Sequence, residues 1–380
     1  MKIVIMGLCN YDNMGDLILP KTVEYLVKDI NPNIDIVFLN FLDIESNKFN
    51  AYKKRRSRIM SLRDSEFKYR CIYHLMRNYS LKTYLNYIKN SDAVIIASGS
   101  YKYGTQQLWA SYSIAIEAAT KCNVPIMLNG MNVQVFNQAD YRCRLLSKYT
   151  SMPIVKVFST RDGIAGIKEL KNYIKNNTTQ IFDVGDTAFW TKECYQPSSS
   201  KSNIIGVNMI REQIFTDYGT NISDDYLYSV YINVLEELTK RGYKWELYTN
   251  GMKEDLAFGK QLLSRMNTNE QEHPIYVPLS EKDFVNKLYS YKAIIAARLH
   301  SSIIAYSIDV PFSGFIWDKK ITYFAETSHL TEHFSTEDDF NAISLVNKME
   351  YALTHPIDIN KQQALKEKTR NAIRVFLETL

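Results

Sequence analysis

At 380 residues the chain exceeds the length at which a single hydrophobic core usually stops growing, and its 46% hydrophobic and 23% charged residues are globular values that exclude wholesale disorder. The formal net charge of +5 is modest for this length and no nucleic-acid module accompanies it, so nucleic acid is not an expected partner. The five cysteines are widely spaced, odd in number and without a C-x-x-C pair, which argues against a disulfide frame or a zinc site and for reduced thiols in a cytoplasmic protein.

In chain order, apolar runs of strand type alternate with helical periodicity. A strand at 3–6 follows Met1 directly, without the apolar segment and small-residue cleavage site of a signal peptide. A helix at 16–28, a strand at 34–39, a helix at 81–90 and a strand at 93–97 come next. Residues 40–79 fit no clean pattern and read as an insertion or a lid. Helix and strand pairs follow at 107–121 and 125–128, at 139–148 and 154–159, and at 164–174 and 180–183. The Ser-rich run 197–202 reads as a linker. Beyond it come a strand at 203–209, a helix at 224–240 capped by Ser223, strands at 244–248 and 275–277, and a helix at 281–289. A strand at 293–297, a helix from 301, a strand at 311–315 and helical segments after Thr336 complete the chain. This alternation predicts an α/β protein of two Rossmann-like, doubly wound domains with an interdomain cleft. Their expected bounds are 1–196 and 203–335, with closing helices over 336–380. No segment is long and apolar enough to span a bilayer.

Candidate ligand residues sit where these strands end. Asn13-Met14-Gly15-Asp16 follows the first strand, where helix-start N–H groups suit a phosphate or a sugar, and Asp16 is either the helix cap or a base. Gly99 and Ser100, and one βα unit later Gly130 and Asn132, let a ligand approach the backbone. Arg161 is either an anion ligand or half of a local pair with Asp162, and Asp186 either orients a site group or caps a turn. Arg211 follows the first strand of the second half as an anion ligand of second rank. The densest cluster is Arg298-Leu299-His300-Ser301-Ser302, which puts a guanidinium, an imidazole and two hydroxyls at one strand-to-helix corner. Such a corner lies at the carboxyl edge of a parallel sheet, and helix-start N–H groups beside an Arg receive phosphate or carboxylate.

Other patterns point elsewhere or nowhere. His329 and His333 are four apart but lack the acid of an H-E-x-x-H motif, so no metal is expected. Neither a G-x-S-x-G elbow nor a P-loop occurs. The basic segment 53–70, with Lys53-Lys54-Arg55-Arg56-Ser57-Arg58 at its start, is either a solvated helix face or a surface for anionic lipid or lipid-linked phosphate.

Taken together, Asn13-x-Gly15-Asp16, the small-residue loop at Gly99, Gly130, Arg161-Asp162, Asp186, and Arg298-Leu299-His300 followed by Val310-Pro311 and Asp318-Lys319-Lys320 resemble the polysaccharide pyruvyl transferase family. The resemblance spans residues 1–326, with one departure: Ser98-Gly99-Ser100-Tyr101-Lys102 carries side chains where the family's run is glycine-rich. It implies a fold similar to the GT-B glycosyltransferases. It also implies transfer of a pyruvyl group from phosphoenolpyruvate onto two hydroxyls of a sugar, giving a cyclic ketal on a surface polysaccharide or its lipid-linked precursor. Neither a cofactor nor a metal is implied, phosphoenolpyruvate being the donor substrate. That donor carries a carboxylate and a phosphate, so Arg298, Arg161 and Lys319 are the expected cations. His300 is the expected acid, since the ordinary imidazole pKa lies near working pH, and Asp16 or Asp186 the expected base. Asn13, Gly15, Gly99, Ser100, Gly130, Asn132, Arg211 and Ser301 complete the expected binding set. A nucleotide-sugar-dependent glycosyltransferase of similar build and a non-catalytic carbohydrate-binding relative are the alternatives. A lipid-linked oligosaccharide acceptor would bring the protein peripherally to the inner face of the cell membrane through 53–70.

Overall fold

The computed structural model describes residues 1–9, 12–41, 46–97, 99–104 and 108–380, with 46–49 by their backbone alone. Ser98, in the expected third-strand loop, lies outside the described residues. The first elements are β1 (Lys2–Gly7), α1 (Met14–Ile30), β2 (Asp35–Asn40), α2 (Ser46–Met60), α3 (Glu66–Ile88), β3 (Ala93–Ile96), β4 (Gly99–Tyr101) and α4 (Leu108–Cys122). Next come β5 (Ile126–Val133), α5 (Tyr141–Thr150), β6 (Val155–Thr160), α6 (Gly163–Tyr173), β7 (Gln180–Asp183), α7 (Thr191–Tyr195), β8 (Ile204–Asn208), α8 (Ile214–Asp217), α9 (Asp224–Lys240) and β9 (Lys244–Tyr248). The remainder is α10 (Lys253–Arg265), α11 (Glu281–Ser290), β10 (Ala293–Ala296), α12 (Leu299–Ser307), β11 (Phe312–Phe315), α13 (Lys319–Thr327), β12 (Phe334–Ser335), α14 (Ala342–Thr354) and α15 (Ile359–Leu377).

Two compact units result. Met1–Asn10, Leu19–Asp186 and Glu367–Leu380 form the first, and Tyr11–Ile18 with Thr187–Lys366 the second. The division therefore falls at 186/187 and not at the Ser-rich run 197–202. Packing explains this: Phe189 meets Tyr306 with ring centroids 5.1 Å apart, and the Phe189 carbonyl accepts the Ser307 hydroxyl at 2.8 Å, so the chain is fixed to α12 before it reaches the serines. Of the closing helices, α14 belongs to the second unit and α15 is divided between the two. The end of α15 returns to the first unit, where Thr369 donates to the Gly185 carbonyl at 2.9 Å and Lys368 pairs with Asp183.

The first unit holds an all-parallel sheet of order β2-β1-β3-β5-β6-β7, with β4 pairing beside β5. Strands β3 and β5 are buried along their whole length, which is why β3 and the first half of β5 read as apolar runs without alternation. Residues 40–79 are not patternless. They contain α2 and most of α3, a 23-residue helix started by Ser65, whose hydroxyl accepts the Lys68 N–H at 3.3 Å. The helix expected at 81–90 is only its last third. Its buried face includes Lys68, Tyr73, Ser80 and Tyr84, so polar groups dilute the apolar stripe that periodicity detects. Strand β5 also outruns its expected end at 128. At Gly130 the backbone turns left-handed (φ 59°) and the pairing with β6 slips between Leu128 and Met131, a bulge that lets the strand continue to Val133.

The second unit has a parallel sheet of order β12-β11-β10-β8-β9. The strand expected at 275–277 contributes one bridge, Tyr248 to Tyr276. From β8 the chain steps to β9 on one side and then to β10 on the other, so the winding reverses between β8 and β10. A crevice outside the carboxyl ends of the strands at such a reversal is where open α/β sheets take ligands. Among the described residues, no helix is long and apolar enough to cross a membrane. The five cysteines are free thiols.

Candidate functional site

The reversal point of the second sheet is built around Asn208, the last residue of β8. Its side-chain oxygen accepts the backbone N–H of Ala297 at 3.3 Å and of Arg298 at 2.9 Å, pinning the corner between β10 and α12. Two N–H donors fix that atom as oxygen, so the amide nitrogen must donate. It reaches the side-chain oxygen of Asn250 at 3.1 Å and the Tyr248 carbonyl at 3.3 Å. The same Asn250 oxygen accepts the Ser301 hydroxyl at 2.8 Å. Ser301, expected to bind substrate, thus secures the first turn of α12.

Asn250 also recruits the segment after β1. Its backbone carbonyl accepts the Met14 N–H at 2.8 Å. Next to it Gly251 (φ 102°) lies against the Asp12 carbonyl, where any Cβ would overlap that oxygen, so only glycine fits. The Asn13 side chain then organises the turn, its oxygen accepting the Gly15 N–H at 3.2 Å and its nitrogen donating to the Asp16 carboxylate at 3.0 Å. Gly15 is buried directly on His300: a methyl there would lie 2.6 Å from the imidazole Cγ and 2.5 Å from Nδ1. Asn13, Gly15, Asp16, Arg298, His300 and Ser301 are therefore brought together within one unit, and His300 is only 9% exposed. Although residues 13–16 follow β1 in sequence, their contacts group them with the second unit.

Arg298 does not stand alone. Its Nε and Nη2 donate to the carboxylate of Asp255, in the first turn of α10, at 3.0 and 2.5 Å. Asp255 is completely buried and also accepts the Arg211 backbone N–H at 2.9 Å. Burial pushes its carboxyl above the ordinary range, and the Arg298 charge opposes that shift. The Arg211 guanidinium pairs with Asp217, so this residue serves the corner through its backbone. Trp317 closes the other side by donating its indole N–H to the Ala297 carbonyl at 2.7 Å. The cation over that indole is Lys320, 4.6 Å from the ring centre and 3.4 Å from Asp318, whereas Lys319 is exposed.

The other expected residues form a second group in the first unit. Ser100 and Asn132 are register neighbours across β4 and β5. The Asn132 amide donates to Asp162 at 2.9 Å and the Val133 N–H to its other oxygen at 2.5 Å. Burial nevertheless pushes the Asp162 carboxyl up. The Arg161 charge bears on the neighbouring Asp162 and opposes that upward shift. Arg161 also forms a buried ion pair with Asp186, so the expected anion ligand and the expected base of this group lie side by side. Gly99 lies beside the Tyr112 hydroxyl, and Gly130 donates its N–H to Ser159 at 2.8 Å.

Sequence reasoning missed Asn208, Asn250 and Asp255. The signal for the two asparagines was present, since each stands at or just past the end of a strand in the second half. Among the described residues, no group of three or more His, Cys, Asp or Glu side chains is placed to hold a metal ion.

The fold is similar to that of the UDP-GlcNAc 2-epimerase from Methanocaldococcus jannaschii, at 14% identity over 100% of both chains and a TM-score of 0.61. It is also similar to the UDP-GlcNAc 2-epimerase from Neisseria meningitidis bound to UDP-GlcNAc, at 11% identity over 100% of both chains and a TM-score of 0.55. At these identities the likeness is one of fold: mixed α/β with parallel sheets, of GT-B type. No curated protein matches the chain. Residues 13–319 match the model of one family, and on that extent the chain belongs to the polysaccharide pyruvyl transferases.

Proposed function

We propose that the protein moves the pyruvyl group of phosphoenolpyruvate onto two hydroxyls of one sugar in a polysaccharide or its lipid-linked precursor, forming a cyclic ketal and releasing phosphate. The observation that carries this reading is the meeting of Arg298 and His300, at the reversal of the second sheet, with the Asn13–Asp16 turn packed on the imidazole. Phosphoenolpyruvate offers a carboxylate and a phosphate to the guanidinium hydrogens of Arg298 that Asp255 leaves available and to the ammonium of Lys320. His300 donates a proton to the methylene carbon, the enol double bond opens, and the first sugar hydroxyl attacks the resulting cationic carbon. Asp16, beside Gly15, takes that hydroxyl's proton. Cleavage of the carbon–oxygen bond to phosphate regenerates the cation, the second hydroxyl closes the ring, and its proton leaves with the phosphate.

Incubation with phosphoenolpyruvate and sugar acceptors tests this directly. Acceptor-dependent phosphate release, with an acid-labile ketal seen by mass spectrometry, is the expected result. Phosphoenolpyruvate left intact across an acceptor panel that does react with UDP-sugars would overturn it. Gly15→Ala sharpens the test. The added methyl has to displace His300, and misplacing a catalytic group by about 1 Å costs roughly 100-fold in turnover. Turnover within a few-fold of the parent would show that the close packing of Gly15 on the imidazole is irrelevant to the chemistry.

A further inference from the structure

The helix α2 and the turn that follows it have no part in either group of site residues. From Ser46 to Arg63 the chain carries seven Lys and Arg and no Asp or Glu. At 3.6 residues per turn, Lys54, Arg55 and Arg58 fall within one arc of about 100°. All three are exposed, while Tyr52, buried against Tyr79 at 5.5 Å between ring centres, and half-buried Ile59 lie on a different stripe. Arg63 continues the exposed cationic row into the turn. The carboxylates that come next are already committed: Asp64 pairs with Lys68, and Glu66 with Arg70 and Arg144. Two large apolar side chains are exposed here, Leu62 in the turn at 41% and Phe67 at the start of α3 at 69%.

From this we infer that α2 and the α2–α3 turn form a docking surface for an anionic lipid bilayer. The charge is complementary to acidic headgroups, and a row of exposed cations leading to protruding apolar side chains matches the two layers of a membrane interface, charge outside and hydrocarbon beneath. Leucine and phenylalanine at the tip favour a bilayer over nucleic acid, whose phosphates would meet the cations but leave Leu62 without an apolar partner. The inference does not depend on the chemistry proposed above and uses none of its residues.

Co-sedimentation of the full chain with vesicles of phosphatidylcholine alone, and of an equal mixture with phosphatidylglycerol, provides the test. Binding to the mixed vesicles alone is expected, and it should be lost on raising salt to about 0.5 M, where the screening length drops to a few ångströms. K54E/R55E/R58E/R63E, which leaves Lys53 and Arg56 in place, is expected to lower partitioning at least about 100-fold, each cation being worth roughly fivefold. L62S/F67S alters only exposed side chains and is expected to lower it about tenfold. Thermal unfolding should match the parent in both variants. Equal binding to both vesicle types, binding to neither, or parental partitioning of the charge-reversed variant would overturn the inference. Retention on duplex DNA without binding to vesicles would overturn it in favour of nucleic acid.

Discussion

Replacing His300 by alanine is expected to lower the turnover of phosphoenolpyruvate about 1,000-fold while leaving its binding within a few-fold of the parent. The imidazole is the proton donor to carbon in the proposed reaction, whereas the anionic ends of the donor are held by Arg298 and Lys320, which the substitution leaves in place. Deuterium provides a second readout. In D2O the methyl group of the ketal should gain one deuterium from solvent, and the alanine variant should lose that incorporation together with phosphate release. A general loss of fold would instead abolish binding as well. If the variant retains more than about a tenth of the parental rate, His300 is not the acid. The reaction would then need a different proton source near the Asn13–Asp16 turn.

Asp255→Ala is expected to destabilise the protein by about 3–5 kcal/mol in urea unfolding, because it breaks a buried pair by removing one partner. Asp255 is completely buried and satisfies three donors, the Arg211 N–H and two guanidinium N–H groups of Arg298. The Arg298 side chain is only 15% exposed, so the variant strands its charge with little water to receive it. The double change D255A/R298M should recover part of the loss, since neither charge then remains to be desolvated. A change below about 1 kcal/mol for the single variant would mean that solvent reaches Arg298 freely and that the pair is incidental.

How far the fold and the site are legible in the sequence follows the range of each interaction. Strand ends and the Arg298–His300 corner were legible because a buried parallel strand followed by a helix start is a local pattern, and the corner supplies its own chemistry within five residues. The pairing of Arg161 with Asp186 was not, because it depends on β6 and β7 being adjacent, which residue spacing does not state. Which of Lys319 and Lys320 lies over Trp317 turns on one helical position in the first turn of α13. Sequence proximity places residues 12–18 with the first domain, yet a hydrogen bond from Met14 to Asn250 and the contact of Gly15 with His300 draw this segment into the second unit. Pro20 accompanies this change of allegiance. It has no N–H for the Asp16 carbonyl, so α1, though continuous, lacks one helical hydrogen bond close to where its contacts switch.

In the reaction proposed above, the balanced pair at the β10–α12 corner also governs how that corner discriminates among solutes. A guanidinium already neutralised by a carboxylate contributes direction more than attraction: its remaining hydrogens point along fixed lines, but its field at a distance is largely cancelled. Sulfate and other compact multivalent ions therefore gain little by drifting there, and background electrolyte has little to compete for. What is rewarded is a molecule whose oxygens are spaced to meet those hydrogens, so recognition at this corner is stereochemical before it is electrostatic.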